Sequence, residues 1–277
     1  MKRLIACSAL ALFLCSCAGV NVKQPEIGNV KKVAILSVTA NEEYKDIEST
    51  KEDKASVLNI VGNVIKDAVE MFTEEQVAVV THGAEALSQA LNGIEGWKVI
   101  PAEEVANNEA VNEMFQPNGK AEEVLSTLNR LVNVRYVTPK GMHELHYEDV
   151  HPEGAHWVNG ERVEAPLLRA IGKLCESLGV DAIAVAEYAF YYETGMLTSV
   201  TSNVTPIVFM NVALIDKNGE KILYTDRGWA KVEGDESAKF NHGYVDLRRE
   251  QSVPAYNGAI DKIADEFRKQ AAKKLGK

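Results

Sequence analysis

The sequence predicts an α/β protein in which a central mixed β-sheet is flanked by helices. Residues 33–38 form a continuous apolar run of strand length, which is typical of a strand buried on both faces. Helical and strand-like patterns follow along the chain, and the turn sequence Asn218-Gly219 joins two later strands. Hydrophobic residues make up 46% of the 277 residues, which is enough for a sizeable core.

The first half of the chain is mostly helical in pattern. Apolar residues recur at helical spacing in four segments, 57–72, 85–91, 102–115 and 121–132. Between the second and third of these, residues 97–100 are predicted to form a short strand that is closed by Pro101.

The second half has clearer boundaries. A helix is predicted at 166–178, where Gly179 ends it, and a longer one at 254–275. Strands are predicted at 181–192, 207–215 and 221–226. Residues 136–163 show no sustained period and are expected to be an irregular insertion. Residues 31–277 are therefore predicted to be a single domain.

The N-terminus has the layout of an export signal. Lys2 and Arg3 form a basic start, and the run from Leu4 to Leu14 is apolar apart from Ser8. This run is too short to span a bilayer, because about 20 apolar residues are needed to cross ~30 Å of hydrocarbon. We therefore expect residues 1–16 to be a signal peptide that is removed.

The segment Leu14-Cys15-Ser16-Cys17 resembles the lipobox of bacterial lipoproteins, in which small residues precede the cysteine that becomes lipidated. Cys17 is the cysteine that fits, because Cys15 would place bulky Leu14 at the cleavage site and Cys7 lies too early. In such proteins the cysteine carries several acyl chains, and two or more chains give a stable membrane anchor. An ordinary secretory signal cut near Ala18 is the alternative, but it does not explain the cysteine.

Residues 17–30 contain few apolar side chains and are expected to form a lipidated, flexible tether. Ala18 follows the lipidated cysteine, whereas an Asp at that position favours inner-membrane retention in enteric bacteria. The sequence therefore favours an anchor in the outer membrane, with the domain facing the periplasm. The inner membrane and the cell surface stay open as alternatives.

Charge and cysteine content restrict the partners and the chemistry. The net charge is −10, so the chain repels phosphate backbones, and no stretch combines clustered cations with aromatics; nucleic acid is not an expected partner. Cys175 is the one cysteine beyond position 17, which rules out a disulfide within the mature domain. It lies on the apolar face of the helix at 166–178 and is predicted to be a buried thiol rather than a nucleophile.

Four of the six histidines, His143, His146, His151 and His156, fall in the irregular insertion together with several carboxylates. Imidazole and carboxylate groups are good zinc ligands. Their spacing matches no known zinc motif, and no regular period would bring the ligands together. A solvated polar loop is therefore favoured over a metal site. Phosphate-binding glycine loops and common catalytic motifs are also absent from the sequence, and no cofactor is predicted.

Two further segments bear on interactions. Tyr188, Phe190, Tyr191 and Tyr192 place aromatic rings on both faces of one predicted strand. Core packing is favoured over a docking surface, because helices are expected to cover both faces. Residues 195–205 are small, Thr-rich and uncharged. A plain hairpin connection is favoured over a membrane-inserted strand, because the apolar alternation is too thin for a lipid-facing strand.

The order of elements resembles the TolB N-terminal-like domain, which recurs in periplasmic lipoproteins such as the curli-secretion family and activators of peptidoglycan synthases. The resemblance covers most of residues 31–232 and rests on the first strand, on 97–101, on Leu178-Gly179-Val180-Asp181 and on 211–216. Two departures are Leu36-Ser37-Val38, where the family has an apolar residue followed by Pro-Phe, and the insertion at 136–163. The resemblance implies a mixed sheet flanked by helices, a role in protein binding or oligomerisation, and no cofactor.

Three hypotheses of different classes follow. The favoured one is a lipid-anchored, non-enzymatic protein-binding or scaffold module of the cell envelope, whose partner is an envelope protein or a second copy of the chain. The alternative is a subunit of an oligomeric outer-membrane export apparatus. The second alternative is a metal-dependent enzyme that uses the loop from His143 to His156. The first is favoured because the fold resemblance agrees with the missing catalytic motifs.

Overall fold

The computed structural model describes residues 19–47, 73–116, 136–152, 157–158, 160–195, 198–226, 230–241 and 244–277. It contains a large mixed β-sheet with helices on both faces, which confirms the α/β prediction. The strands are β1 (Val20–Val22), β2 (Lys32–Asn41), β3 (Lys45–Asp46), β4 (Lys98–Val99), β5 (Tyr136–Val137), β6 (Trp157–Val158), β7 (Glu161–Arg162), β8 (Ala182–Thr194), β9 (Asn203–Asp216), β10 (Lys221–Thr225), β11 (Val232–Glu233), β12 (Ala238–Asn241) and β13 (Tyr244–Val245). The helices are α1 (Glu74–Asn92), α2 (Ala102–Ala106), α3 (Glu109–Met114), α4 (Tyr147–Val150), α5 (Ala165–Leu178), α6 (Thr198–Thr201) and α7 (Ser252–Leu275), and a 3-10 turn spans Glu26–Asn29.

The main path of the sheet runs in the order β1-β10-β9-β8-β2-β4. β2 is parallel to β4 and to β8, whereas β8, β9, β10 and β1 pair antiparallel along the path. The longest ladder joins β8 to β9 and runs from Ala182 opposite Asp216 to Thr194 opposite Val204. Two short strands, β11 and β12, pair with the first half of β9.

Two hydrophobic cores lie on opposite faces of the sheet. The larger packs against α1 and α7, and the smaller packs against α2, α3, α4 and α5. Side chains of β8 alternate between the two cores. Ala182, Ala184 and Ala186 pack in the larger core, whereas Ile183 and Val185 pack in the smaller one. Burial on both faces explains why β2 and β8 are continuous apolar runs.

The N-terminal part of the domain begins earlier than predicted. The expected tether at residues 17–30 is wrong from position 20 onward, because β1 pairs with β10 at the edge of the sheet. Val20 in β1 and Ile27 in the 3-10 turn are both fully buried. The domain therefore starts before residue 31, and its first strand lies three positions after Cys17. A strand of only three residues is too short to be recognised from periodicity.

Helix α1 is longer than the pattern at 85–91 indicates. It begins at Glu74 after a capping box, in which Thr73 Oγ1 accepts a hydrogen bond from Gln76 N and Thr73 N donates to Gln76 Oε1. Both residues satisfy amide groups that the first helical turn leaves free. The predicted boundary at 85 was therefore too late.

The predicted helix at 102–115 is two short helices, α2 and α3, because Asn108 interrupts it and caps α3 by accepting from Val111 N. The predicted helices at 57–72 and 121–132 lie outside the described residues. The other predicted elements, at 33–38, 97–100, 166–178, 181–192, 207–215, 221–226 and 254–275, are confirmed with small changes in their ends. Within the described helices, none is both long and apolar enough to cross a bilayer.

Helix α5 meets the turn between β9 and β10 backbone to backbone. A Cβ added at Gly172 would lie 2.7 Å from Gly219 N and 2.9 Å from Lys217 O, and one added at Gly219 would lie 2.8 Å from Leu168 O. Gly219 also has a φ of +75°, which favours glycine. The predicted Asn218-Gly219 turn is confirmed, and its glycine also permits the close approach of α5.

We expect Gly172→Ala to lower the free energy of unfolding by about 1–3 kcal/mol, because the atoms that its methyl group would meet belong to backbone and cannot turn aside. Gly258→Ala in α7 is the matched control, since no described atom lies within 4 Å of its added Cβ. That variant should be stabilised by up to ~1 kcal/mol. Urea unfolding followed by circular dichroism measures both, and equal stabilities would contradict the close contact.

Candidate functional site

Residues 136–152 return to the sheet where the parallel strands β2 and β8 end. β5 pairs with the last two residues of β2. The Ser37 hydroxyl in β2 donates to His143 O over 2.7 Å and accepts from Leu145 N over 3.1 Å. Tyr147 N donates to Glu187 Oε2 on β8 over 3.2 Å. Ligand sites of α/β proteins commonly lie at the carboxyl ends of parallel strands, so the polar groups here are the first candidates.

The prediction of a solvated polar loop is wrong for this segment. Leu145, Tyr147 and Val150 are fully buried in the smaller core, and His146 is only 8% exposed. The irregular spacing of the three apolar residues matches neither a helix nor a strand, which explains why the sequence indicated no packed element. Leu145, Tyr147 and Val150 of the insertion at 136–163 therefore belong to the core of the domain.

His146 lies at the centre of a cluster of charged groups. Its Nε2 lies 3.0 Å from Glu144 Oε1, and its backbone N–H donates to Asp149 Oδ2 over 2.8 Å. The Tyr136 ring packs against the imidazole, with 3.9 Å between ring centroids. Glu187, on β8 beneath, adds a further negative charge. The cluster joins the insertion to the middle of β8.

The electrostatics of the cluster favour a protonated imidazole. Burial alone would lower the pKa of His146, but the hydrogen bond to Glu144 and the charges of Asp149 and Glu187 outweigh it and raise the pKa above 6.5. Burial raises the pKa of Asp149, against the hydrogen bond from the backbone of His146. His146 therefore keeps its proton to a higher pH than a free imidazole does.

Space at this end of the sheet is small. The cavity between Ile35, Met142 and His143 has a volume of about 10 Å³, which is room for one water molecule at most. Glu144 is the accessible edge of the cluster, with a side chain that is 53% exposed. The cluster can hold a proton and fix the segment to the sheet.

The described histidines of the insertion do not converge. His143 stacks on Phe115 with 4.3 Å between ring centroids, whereas His151 stacks on Tyr224 with 4.5 Å between them. His156 lies outside the described residues. Over the part of the chain that the structure describes, no group of three or more His, Cys, Asp or Glu side chains could hold a metal ion.

Of the two cysteines considered above, Cys175 and Cys17, the structure describes only Cys175. Cys175 is fully buried on α5, with its Sγ 3.8 Å from Ile215 O, which confirms the buried thiol. Burial raises the pKa of this thiol to about 12, so it is protonated and unreactive at neutral pH. Cys17, the predicted lipidation residue, lies outside the described residues.

The aromatic strand is mainly a core element. Tyr188, Phe190 and Tyr192 are buried in the larger core, which confirms the preference for core packing. Tyr191 points to the opposite face, is half-buried, and packs edge-on against Phe209 with 5.7 Å between ring centroids. One ring of the four therefore reaches the surface.

The connection between β8 and β9 contains the one-turn helix α6 in its described part. Thr198 Oγ1 accepts from Gly195 N and donates to Asn203 O, each over 2.8 Å, so one side chain ties the two ends of the connection together. This arrangement agrees with the predicted plain hairpin connection. Val200 in α6 is 81% exposed.

We expect His146 to stabilise the fold most strongly at low pH. Because its folded pKa is raised, its contribution is fully present below the unfolded pKa of about 6.5 and is lost as the pH rises through the folded value. The gap in free energy of unfolding between the wild type and His146→Gln should therefore shrink as the pH rises above ~6.5. Urea unfolding at a series of pH values measures this gap.

His143→Gln provides a control of opposite sign. Burial lowers the pKa of His143, so its contribution is present above the unfolded pKa and is lost as the pH falls through the folded value. The gap between the wild type and this variant should widen as the pH rises. The same trend in both variants would contradict the assignment of charge in the cluster.

The sequence and the structure were compared with those of known proteins. No protein-family model, no curated protein and no solved structure matches this chain. Function is therefore inferred from the N-terminal sequence and from the packing of the described residues.

Proposed function

We propose that the protein is a lipid-anchored, periplasm-facing binding or scaffold module of the bacterial cell envelope, without a catalytic role. The observation that carries the proposal is the segment Leu14-Cys15-Ser16-Cys17, which follows a basic start and a short apolar run. Several acyl chains on Cys17 would hold the domain permanently on a membrane. Ala18 favours the outer membrane for this anchor.

The position of β1 supports a domain held close to the bilayer. β1 begins at Val20, three positions after Cys17, and an extended chain spans at most ~3.6 Å per residue. A lipidated Cys17 would then lie within roughly 11 Å of a strand that is part of the sheet. The anchor would place the β1–β10 edge of the sheet beside the lipid headgroups.

Binding is favoured over catalysis by the state of the reactive groups. The charges of His146, Asp149 and Glu187 hold the insertion on the sheet, and none of the three side chains lines the cavity of about 10 Å³ near His143. The Cys175 thiol is buried and protonated. A catalytic centre needs such groups beside a space where a substrate can sit. The resemblance to the TolB N-terminal-like domain points the same way, toward an envelope protein or a second copy as partner.

The lipid anchor predicts that Cys17 alone is modified. When the full chain is expressed in a bacterial host and labelled with a palmitate analogue, the wild type should carry the label, and Cys17→Ser should not. Cys15→Ser is the matched control, because it removes the neighbouring thiol and keeps a small residue before Cys17; it should be labelled like the wild type. A labelled Cys17→Ser variant, or an unlabelled wild type, would exclude the anchor.

The scaffold role predicts a defined complex. After cross-linking in cells, the lipidated wild type should be recovered with one dominant envelope protein or as a defined small oligomer, identified by mass spectrometry and light scattering. Cys17→Ser should lose most of this product, because it no longer meets its partner at the membrane. A monomer without a cross-linked partner would contradict the scaffold role, and a large homogeneous ring would replace it with the export-apparatus hypothesis.

A further inference from the structure

A cleft of about 390 Å³ opens at the N-terminal end of α5, and its size lies within the range of small-molecule sites. Its charged and histidine side chains come from four separate parts of the chain and are Lys23, His151, Arg162, Glu164, Glu220 and Lys221. The cleft is separate from the His146 cluster, which contributes no side chain to it. Neither the anchor nor the scaffold role uses these groups.

The cleft carries an excess of positive charge. Glu164 is 2% exposed, and one of its oxygens, Oε1, lies 2.7 Å from Arg162 Nε and 3.7 Å from Lys221 Nζ. One buried carboxylate thus faces two cations. Lys23 forms an ion pair with Glu220 and lies 3.8 Å from Glu26, so the excess among the lining residues is one positive charge and comes from Arg162 and Lys221. An excess of positive charge in a chain whose net charge is −10 points to an anionic ligand.

Lys221 is an unusual cation because its side chain is only 13% exposed. Burial lowers its pKa, and Arg162 lowers it further, against the attraction of Glu164. The charges of Lys221 and Arg162 also act on His151. Burial and these two cations together lower the pKa of His151 to about 4. An anion placed between these groups would relieve the repulsion among them.

Three buried polar atoms at the cleft lack a hydrogen-bond partner among the described residues: Glu164 Oε2, His151 Nδ1 and Arg162 Nε. Arg162 Nε is close to Glu164, but its N–H does not point along a hydrogen bond. The Arg162 side chain is 42% exposed, so it can turn onto a ligand and open a path to Glu164. A hydroxyl group can donate to a carboxylate and can pair with either form of a neutral imidazole nitrogen.

The start of α5 adds a site for negative charge. The N-cap residue is Glu164, whose side chain makes no capping hydrogen bond, the first turn that follows contains no acidic residue, and Ala165 lines the cleft. Amide groups at a helix N-terminus attract anions. Trp157 lies opposite Arg162 in the β6–β7 hairpin and is 60% exposed, so both side chains project from one face of that hairpin. Trp157 does not line the cleft itself, but its exposed indole shares a hairpin face with Arg162, which does, and offers an apolar surface there.

We propose that this cleft binds a small hydroxylated organic anion, that is, a polyol or sugar that carries a phosphate ester or a carboxylate. The anionic group lies between Arg162, Lys221 and the start of α5, the hydroxyl groups pair with Glu164 and His151, and the carbon skeleton rests against Trp157. Free polyol phosphates and the glycerophosphate headgroup of an anionic lipid share this chemistry. The proposal does not depend on lipidation of Cys17.

Isothermal titration calorimetry with sn-glycerol 3-phosphate on the purified full chain tests the proposal. Glycerol, which lacks the anion, and inorganic phosphate, which lacks the polyol, are the control ligands. Binding should weaken by at least about tenfold in Lys221→Met and in Arg162→Gln, which each remove one cation from the cleft. Arg248→Gln is the matched control, since Arg248 is an exposed cation outside the cleft, and it should bind like the wild type.

A second measurement covers the case in which the variants fold poorly. In the wild type, the pKa of His151 followed by NMR should rise when glycerol 3-phosphate is added, because the bound anion offsets the charges of Lys221 and Arg162. No heat of binding together with an unchanged His151 would overturn the proposal. Binding that is equally tight for inorganic phosphate, or that is unchanged in both variants, would overturn it as well.

Vesicles distinguish the two sources of the ligand. The chain is incubated with phosphatidylglycerol vesicles and with phosphatidylcholine vesicles and then sedimented. Cosedimentation with the first only, lost in Lys221→Met, assigns the cleft to a lipid headgroup. Binding of soluble glycerol 3-phosphate without such cosedimentation assigns it to a free ligand, and failure of both overturns the proposal. All of these measurements can be made on the Cys17→Ser variant. Failure of the proposed lipid anchor would therefore not affect the test of ligand binding in the cleft.

Discussion

Every residue of β8 is paired with β9, from Ala182 to Thr194, and the other strands of the large sheet are connected through this pair, whereas β6 and β7 form a separate hairpin. β2 adds to the free side of β8, while β10 and then β1 add beyond β9. Because side chains alternate across a strand, a slip of one residue would move the alanines of β8 to the smaller core and Ile183 and Val185 to the larger. The register of this one ladder therefore decides which helices pack on which face, and where the polar groups at the ends of β2 and β8 lie.

Features that depend on neighbouring residues could be predicted from the sequence. The apolar runs of β2 and β8, the end of α5 at Gly179 and the Asn218-Gly219 turn each follow from local chemistry. Features that depend on distant contacts could not. β1 has only three residues, and it is a strand because β10 offers a free edge. The segment at 145–147 is buried because the Ser37 hydroxyl and Glu187 hold it on the sheet, and neither contact leaves a period in the sequence.

The candidate sites show the same division. Three histidines of the insertion are close in sequence, but His143, His146 and His151 pack against different rings and serve different surroundings. The cationic cleft is the opposite case, since Lys23, Arg162 and Lys221 are far apart in sequence and meet through the order of the strands. One feature of the cleft is visible in the local sequence. Helix α5 starts without the Ser, Thr, Asp or Asn residue that commonly caps a helix, so its first amide groups lack a side-chain cap.

β1 also sets the order in which the domain can assemble. Asn21 in β1 donates to Asp226, 205 positions later in the chain, so closing this contact requires nearly the whole domain to be present. A chain that crosses a membrane from its N-terminus would expose Cys17 and β1 long before β10 emerged. Modification of the cysteine would thus act on an extended segment. When β1 docks, it covers the hydrogen-bonding groups of β10 that would otherwise invite another strand, and it leaves an edge of only three residues, which is short for pairing with a second chain.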